Sequence, residues 1–318
     1  MKRTHRGFSL LEVLISLGQE LQAEDYRFTT VTPTTHARVN ARPENSLAGD
    51  LQGVFGWSRP FPDALISERM LALLETGGLL LRQDSQWRSA VRWSSLDGQL
   101  FAHSAYPTVE TDAVFFGPDT YRFAHALRQH VLSGEAGTVR RAVDIGCGAG
   151  PGAILIAQAY PEAEVTAVDI NPRALDFTRA NACLAGIDDL QIRQSNLLDG
   201  IGGQFDLIVA NPPYLLDPQE RTYRHGGGEF GAGLSLRIVE TALQRLNVGG
   251  TLLLYTGAAV IDGDAPLRLQ LDALLTNRPV SWRYDEMDPD VFGEELDCSA
   301  YQQAERIAAV TVTVTRLA

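Results

Sequence analysis

The sequence predicts an α/β protein: a mostly parallel sheet with helices on both faces and an antiparallel ending, preceded by a smaller α+β domain. Three observations carry this. From about residue 140 onward, short apolar runs alternate strictly with segments of helical periodicity, the pattern of parallel strands joined by crossover helices. The tail breaks the alternation. VSWRY (280–284) and AAVTVTVT (308–315) read as two strands without an intervening long helix, which suits a hairpin closing one edge with the last strand antiparallel. The first part of the chain shows neither pattern, so the expected organisation is residues 1–110 as an α+β docking or packing domain and 111–318 as the α/β domain.

At the start, RGFSLLEVLI (6–15) resembles the processing site of type IV prepilins, with Glu12 at the matching acidic position. Prepilins continue as about 20 apolar residues, whereas this run breaks at Gly18, Gln19 and Glu20. A short amphipathic helix, or a start codon set too early, is the preferred reading over a prepilin. Residues 26–60 are rich in Thr, Pro, Gly and Asn and read as loop. Apolar residues from Ala64 to Leu74 then fall at helical spacing and stop at Gly77-Gly78. LLL (79–81) and AVRW (90–93) follow, with a turn at Asp97-Gly98 and a return through QLFA (99–102). A helix followed by a β-hairpin is compatible with a winged-helix fragment, used for substrate docking or plain packing.

In the second part, strands are expected near 140–146, 164–170, 190–196, 205–211 and 250–257, with helices near 151–160, 172–185 and 233–246. The first of these strands runs into VDIGCGAGPG (143–152), where Asp144 precedes Gly146, Gly148 and Gly150. Glycines at that spacing permit a tight turn and close approach of a ligand, and the following helix N-terminus favours negative charge. The second strand ends in VDINP (168–172), whose Asp169 lies 19 residues past Gly150 and can accept from both hydroxyls of a ribose. The third ends in SNLL (195–198), where Asn196 can bond the edge of an adenine. The fourth, FDLIVA (205–210), stops in Asn211-Pro212-Pro213-Tyr214, because two prolines neither donate to a ladder nor continue a helix. Each element alone can be an ordinary strand end. Together they stand at the carboxyl ends of successive strands, where open α/β sheets bind ligands.

The bulk numbers exclude several classes. The chain has 318 residues, 45% hydrophobic and 21% charged, which is ordinary for a globular protein with a sizeable core. Three well-separated cysteines (Cys147, Cys183, Cys298) argue against a disulfide framework and a zinc site and suit the cytoplasm. The net charge of −12 is concentrated in residues 141–318, with 13 basic and 24 acidic side chains, against 14 and 15 before them. Such a field disfavours nucleic acid as a partner. No segment is long and apolar enough to span a membrane.

The loop DIGCGAG (144–150), Asp169, Asn196 and the Asn-Pro-Pro-Tyr tetrad (211–214) together resemble the class I S-adenosylmethionine-dependent methyltransferases. More narrowly they resemble the group that contains the protein glutamine N5-methyltransferases, the rRNA guanine N2-methyltransferases and the adenine N6-methyltransferases. The resemblance covers about residues 111–318 and implies a Rossmann-like seven-stranded sheet whose last strand is antiparallel. It implies that S-adenosyl-L-methionine is the cofactor, that Gly146, Gly148 and Gly150 line its methionine moiety, and that Asp169 and Asn196 hold ribose and adenine. Many relatives have Asp at the position of Asn196. The segment FFGPDTY (115–121) resembles the stretch that closes over the cofactor in the glutamine enzymes, which makes Thr120 and Tyr121 further candidates.

For the tetrad, the chemistry is that of a planar nitrogen whose lone pair is delocalised. Two acceptors, the Asn211 side-chain carbonyl and the Pro212 backbone carbonyl, can grip its N–H groups while the Tyr214 ring stacks on the plane, so that catalysis is positioning and electrostatics. The implied acceptor is a protein glutamine or a small amide or amine; the alternative is adenine N6 or guanine N2 of RNA or DNA, with the base exposed or flipped. Resemblance also suggests that RHGGGEFGAGL (224–234) is a mobile flap, with His225 a late proton acceptor or a solvated side chain. The acidic DEMDPDVFGEELD (285–297) suits either a basic substrate or a solvated loop.

Overall fold

The computed structural model describes residues 8–83, 85–134 and 137–318. They fall into two compact units: residues 1–121, 148–151 and 173–188 in the first, and 122–147, 152–172 and 189–318 in the second.

The first unit opens with helix α1 (Leu10–Ala23), started by a capping box in which Ser9 accepts from the Glu12 backbone and the Glu12 carboxylate accepts from Ser9. Glu12 therefore has a local structural role; the basic leader and Gly7 of the prepilin-like stretch lie outside the described residues. Val13, Leu14, Leu17 and Leu21 form the buried face of α1. Residues 26–60 are less irregular than their composition suggests. Thr32 caps α2 (Pro33–Asn40) with Pro33 at its first position, and Asp50 caps the short α3 (Leu51–Phe55). Helix α4 (Glu68–Thr76) is capped by Ser67. Two hairpins follow. Strands β1 (Leu80–Gln83) and β2 (Gln86–Ser89) pair with each other, and β3 (Val91–Leu96) pairs with β4 (Gln99–Ser104). Asp97 and Gly98 join the second hairpin with φ of 53° and 78°, as a two-residue turn requires.

Helix α5 (Pro118–Ser133) leads into the sheet of the second unit. Its strands are β5 (Arg141–Ile145), β6 (Glu164–Asp169), β7 (Gln191–Gln194), β8 (Phe205–Ala210), β9 (Leu246–Val260), β10 (Val280–Asp288) and β11 (Arg306–Arg316). Their order is β10-β11-β9-β8-β5-β6-β7. β5 to β9 run parallel, and the last strand, β11, inserts antiparallel between β9 and β10. Helices α6 (Pro151–Ala159), α7 (Pro172–Leu184), α8 (Gly233–Arg245) and α9 (Pro266–Leu275) alternate with the strands. On one face, Val143, Ile208, Leu252 and Val310 pack with Ile238 and Val239 of α8 and Leu271 of α9. On the other, α6 is so close to β5 that a Cβ at Gly152 would lie 2.6 Å from Asp144 Oδ2 and 2.9 Å from Phe123 of α5. Residues 251–260 of β9 are buried without interruption, as expected of a strand covered on both faces.

Candidate active site

The order of strands reverses between β5 and β8, and the register there decides which residues meet. Ile145 pairs with both Val168 and Ala210. The next residues, Gly146 and Asn211, therefore leave adjacent strands side by side, about 5 Å apart. Gly146 and Cys147 both donate to the Val168 carbonyl, at 2.8 and 3.0 Å, which turns the loop sharply off β5. Gly146, Gly148 and Gly150 have φ of 70°, 56° and 88°. A Cβ at Gly146 or Gly148 would meet only open space, so backbone conformation sets these two glycines. Gly150 is held by both conformation and space, since a Cβ there would lie 2.9 Å from Thr178 within the first unit.

Asp144 is buried (2% exposed), and its Oδ2 accepts the Ala153 N–H at 2.9 Å. Burial pushes its pKa up to about 7, against the hydrogen bond from Ala153 and with help from the negative charge of Asp169. Asp169 ends β6 half-buried, with Oδ1 accepting from Asn171 N–H at 2.9 Å. Asn196 is exposed in the turn after β7, where its carbonyl accepts from Asp199 at 3.1 Å.

Thr120 and Tyr121 belong to the first unit. The Thr120 hydroxyl accepts from Gly117 N–H at 3.2 Å, and the Tyr121 hydroxyl accepts from Thr30 N–H at 3.0 Å. Both polar tips thus have local structural partners. Also within that unit, the buried Asn181 side chain accepts from Ala102 N–H (2.7 Å) and donates to Ala102 and Ala149 carbonyls (3.0 and 2.8 Å). It ties the glycine-loop backbone to β4, a link with no local sequence signal.

After β8, Asn211 and Pro213 are partly exposed and Pro212 is buried. Among the described residues none hydrogen-bonds the Asn211 amide. The Tyr214 ring differs from expectation. It is 6% exposed, packed on Gly257 of β9 and edge-on to Phe292 at 5.8 Å and Tyr255 at 6.5 Å. It is a wall of the site, with little open face for stacking.

The glycine-rich stretch is likewise better packed than a loose flap. Gly226 donates to Leu215 at 2.8 Å, Gly233 to Gly227 at 2.9 Å, and Leu234 to Gly226 at 2.9 Å. A Cβ at Gly231 would collide with the Tyr214 carbonyl. His225 Nδ1 accepts the Asp217 N–H at 3.2 Å, so this ring nitrogen supports the turn. Asp217 is 2% exposed and takes Arg221 Nε and Nη2 at 2.9 and 2.6 Å. That bidentate bond, foremost, holds its carboxyl down at about 2.

The acidic segment is also more structural than a solvated run. Glu295 pairs with Arg224, Asp288 with Arg122 at 2.8 Å, and Glu286 with Arg306 at 2.9 Å. Sequence reasoning could pair opposite charges in general but could not choose these partners, which α5, β11 and the tetrad loop supply. Among the described residues no cluster of His, Cys, Asp and Glu could hold a metal ion. Nor is any described helix long and apolar enough to cross a membrane.

Residues 108–277 match the family model described as Methyltransferase small domain, which spans more than half of the chain. A release factor glutamine methyltransferase of Deinococcus radiodurans is 40% identical over 124 residues, 36% of this chain and 44% of the relative. A ribosomal protein uL3 glutamine methyltransferase of Bordetella pertussis is 39% identical over 133 residues, 37% of this chain and 44% of the relative. The ribosomal RNA small subunit methyltransferase C of Cronobacter sakazakii is 30% identical over 121 residues, 38% and 32% of the two chains. The chain thus spans less than half the length of these curated relatives. With a glycine loop, an acidic strand end and an Asn-Pro-Pro-Tyr turn on the rim of this sheet, and with the match over residues 108–277, the chain belongs to the methyltransferase small domain family.

Proposed function

We propose that this protein is an S-adenosyl-L-methionine-dependent N-methyltransferase acting on a planar amide or amine nitrogen, with a protein glutamine or a small molecule as acceptor. The observation that carries the reading is the register at the sheet reversal, where Asn211 leaves β8 beside Gly146 of the glycine loop. The rim fits the cofactor: Gly146 and Gly148 offer backbone without side chains, and Asp169 offers a carboxylate at a strand end. In this reading Asp144, Gly146, Gly148 and Gly150 hold the methionine end, with Asp144 acting through the loop it braces. Asp169 takes the ribose and Asn196 the adenine, while Thr120 and Tyr121 remain cofactor candidates by resemblance alone. When bound, the cofactor supplies an electrophilic methyl group on a sulfonium.

The chain's own residues supply position. The Asn211 carbonyl and the Pro212 backbone carbonyl accept from the two N–H groups of the substrate nitrogen. This draws charge toward nitrogen and aims its lone pair. The prolines stiffen the second acceptor, and Tyr214, fixed by Gly257 and Phe292, holds the turn from behind. Residues 111–318 carry this chemistry, residues 1–110 serve docking or packing, and the protein works in the cytoplasm. Relatives named for release factor and uL3 glutamine methylation support the protein acceptor. The small-subunit rRNA relative supports a second reading, adenine N6 or guanine N2 of RNA or DNA, which the acidic balance disfavours.

A transfer assay with methyl-labelled cofactor and lysate of the native cell, separated into protein, nucleic acid and small-molecule fractions, tests this. Label in protein glutamine or in a small amide supports the proposal. Label only in nucleic acid selects the second reading, and absence of both label and calorimetric cofactor binding overturns the enzyme.

A further inference from the structure

Strand β10 is one edge of the seven-stranded sheet, and β11 is its only neighbour there. At nine residues it is long for an edge, and its outer side offers a row of backbone N–H and C=O groups that no described strand takes up. Its side chains alternate in burial. Val280, Trp282 and Tyr284 are half-buried and pack against the core, whereas Ser281, Arg283 and Asp285 are exposed on the other face. Natural edges are commonly closed to further pairing by proline, by a bulge or by charge. Residues 280–288 contain no proline, and the one shift of register falls between Glu286 and Asp288. Charge alone guards the stretch before it.

That charge is symmetric in a way that matters for a second copy of the strand. The exposed face carries one cation and one anion, Arg283 and Asp285, one on each side of Tyr284. Two copies paired antiparallel about a two-fold axis perpendicular to the sheet can be centred only on a residue, because facing residues in such a pair point to the same side. Centred on Arg283 or on Asp285, the pair sets that residue against itself, and like charges directly opposite are destabilising. Centred on Trp282, it leaves Asp285 beyond the end of the strand, and registers centred past Asp285 run into the bulge. Centred on Tyr284, Arg283 of each copy faces Asp285 of the other, so two opposite-charge pairs form and no like pair does. Facing residues have Cβ atoms about 4.5–5.5 Å apart, within reach of an ion pair.

We propose that two copies of this chain join their sheets antiparallel through β10, centred on Tyr284, with two Arg283–Asp285 ion pairs across the two-fold axis. The strand is its own electrostatic complement, which singles out a second copy as the occupant of this edge. Within one chain, Arg283 Nε and Asp285 Oδ2 already lie 3.2 Å apart, both side chains more than half exposed, a contact that contributes little alone. Pairing sets each carboxylate between two guanidinium groups. The ladder runs only from Trp282 to Glu286 on each strand before the bulge. This places the dimer in the weak class, whose interfaces bury less than about 1,200 Å². A net charge of −12 on each chain opposes association at long range, and salt screens that repulsion. The proposal does not rest on the methyl-transfer reading.

The test is sedimentation equilibrium of the full chain, from about 10 μM to about 1 mM in about 0.15 M salt. Wild type, Arg283→Asp, Asp285→Arg and an equimolar mixture of the two variants are compared. Wild type should show a monomer–dimer equilibrium. Each variant alone sets like charges opposite each other at both positions, so its dimer should be at least about tenfold weaker. The two variants complement each other, and their mixture should recover association close to that of wild type. Both side chains are exposed, and the mixture also controls for folding, since a misfolded variant cannot restore pairing. A wild type that stays monomeric to about 1 mM, which would leave the edge to some other chain, overturns the proposal. So does a dimer that both variants keep at wild-type strength, or a mixture that associates no better than the variants apart.

Discussion

The ring of Tyr214 lies directly on the backbone of Gly257, so closely that a Cβ at position 257 would collide with Cδ2 and Cε2. Gly257 has an antiparallel partner, Ala309, and sits inside the long buried strand β9. Its lack of a side chain therefore sets where the tetrad rests. Gly257→Ala should cost about 1–3 kcal/mol through overpacking and lower turnover by displacing the turn that presents Asn211. Urea melts and methyl-transfer rates check both. Wild-type stability together with a wild-type rate would refute the coupling of Gly257 to the tetrad.

Asn211 is only half-buried and borders the loop without being part of it. Asn211→Ala should leave stability within about 0.5 kcal/mol and cofactor affinity nearly intact. Turnover should fall by about 10²–10³-fold, the effect of losing one precisely aimed polar contact in a transition state. Calorimetric titration with the cofactor and a labelled-methyl assay separate the two. A variant that binds poorly but turns over normally would reverse the assignment.

The strands of the second unit and its helices α6 and α8 were legible because a parallel sheet covered on both faces writes itself as apolar runs between helical segments, whereas α5 and α9 were not expected. The position of Asp169, Asn211 and the three glycines at strand ends was legible because turn chemistry there is local. The environment of Tyr214 was not, since Gly257 and Phe292 come to it from 43 and 78 residues away. The glycines of 224–234 suggested mobility, yet Gly226 and Gly231 leave out a Cβ because backbone occupies that space. In residues 26–60 the Thr-Pro and Asp caps were read as loop composition, although the same residues begin helices.

Asp169→Ala removes the carboxylate proposed for the ribose hydroxyls. Two charge-assisted bonds at about 1.5–3 kcal/mol each are at stake, discounted for solvent, so cofactor affinity should drop by about 10–100-fold. Because Asp169 also raises Asp144 electrostatically, the same variant should lower the pKa of Asp144. Calorimetry reads the first effect and carboxyl-carbon NMR the second; an unchanged affinity would remove Asp169 from the cofactor site.

Asp144 makes stability depend on pH. Its folded pKa, about 7, exceeds the ordinary 3.8, so the folded protein keeps a proton that the unfolded chain loses. Stability therefore falls as pH rises from about 4 to 7 and levels off above that, a change of a few kcal/mol at most. Asp144→Asn can still accept from Ala153 and has no proton to lose. Its advantage over wild type should grow across that interval. Denaturant melts at pH 4.5, 6 and 8 (about two steps inside and one beyond the window) check the sign, and parallel curves for the two proteins would contradict the shifted pKa.

Asp217 has the opposite sign. Arg221 holds it at about 2, below its ordinary 3.8, so its stabilising contribution is present above about pH 4 and lost as pH falls toward 2. Arg221 is 20% and Asp217 2% exposed. Arg221→Met therefore leaves a nearly buried carboxylate with Arg224 Nε, 3.6 Å away, as its remaining cation, and the cost should be about 2 kcal/mol at pH 7, less than for a fully buried pair. The difference should shrink as pH falls below about 4 and vanish only below about 2, where the carboxyl is neutral in folded wild type as well. The variant should also slow turnover, since Asp217 N–H donates to His225 and Leu215 pairs with the same segment, so the loop that backs Tyr214 loses its anchor. Melts at pH 7 and pH 3 with rates at pH 7 check this; a constant difference at both pH values would mean that Arg221 acts through its contact with the Tyr223 ring, 5.6 Å away, and not through Asp217.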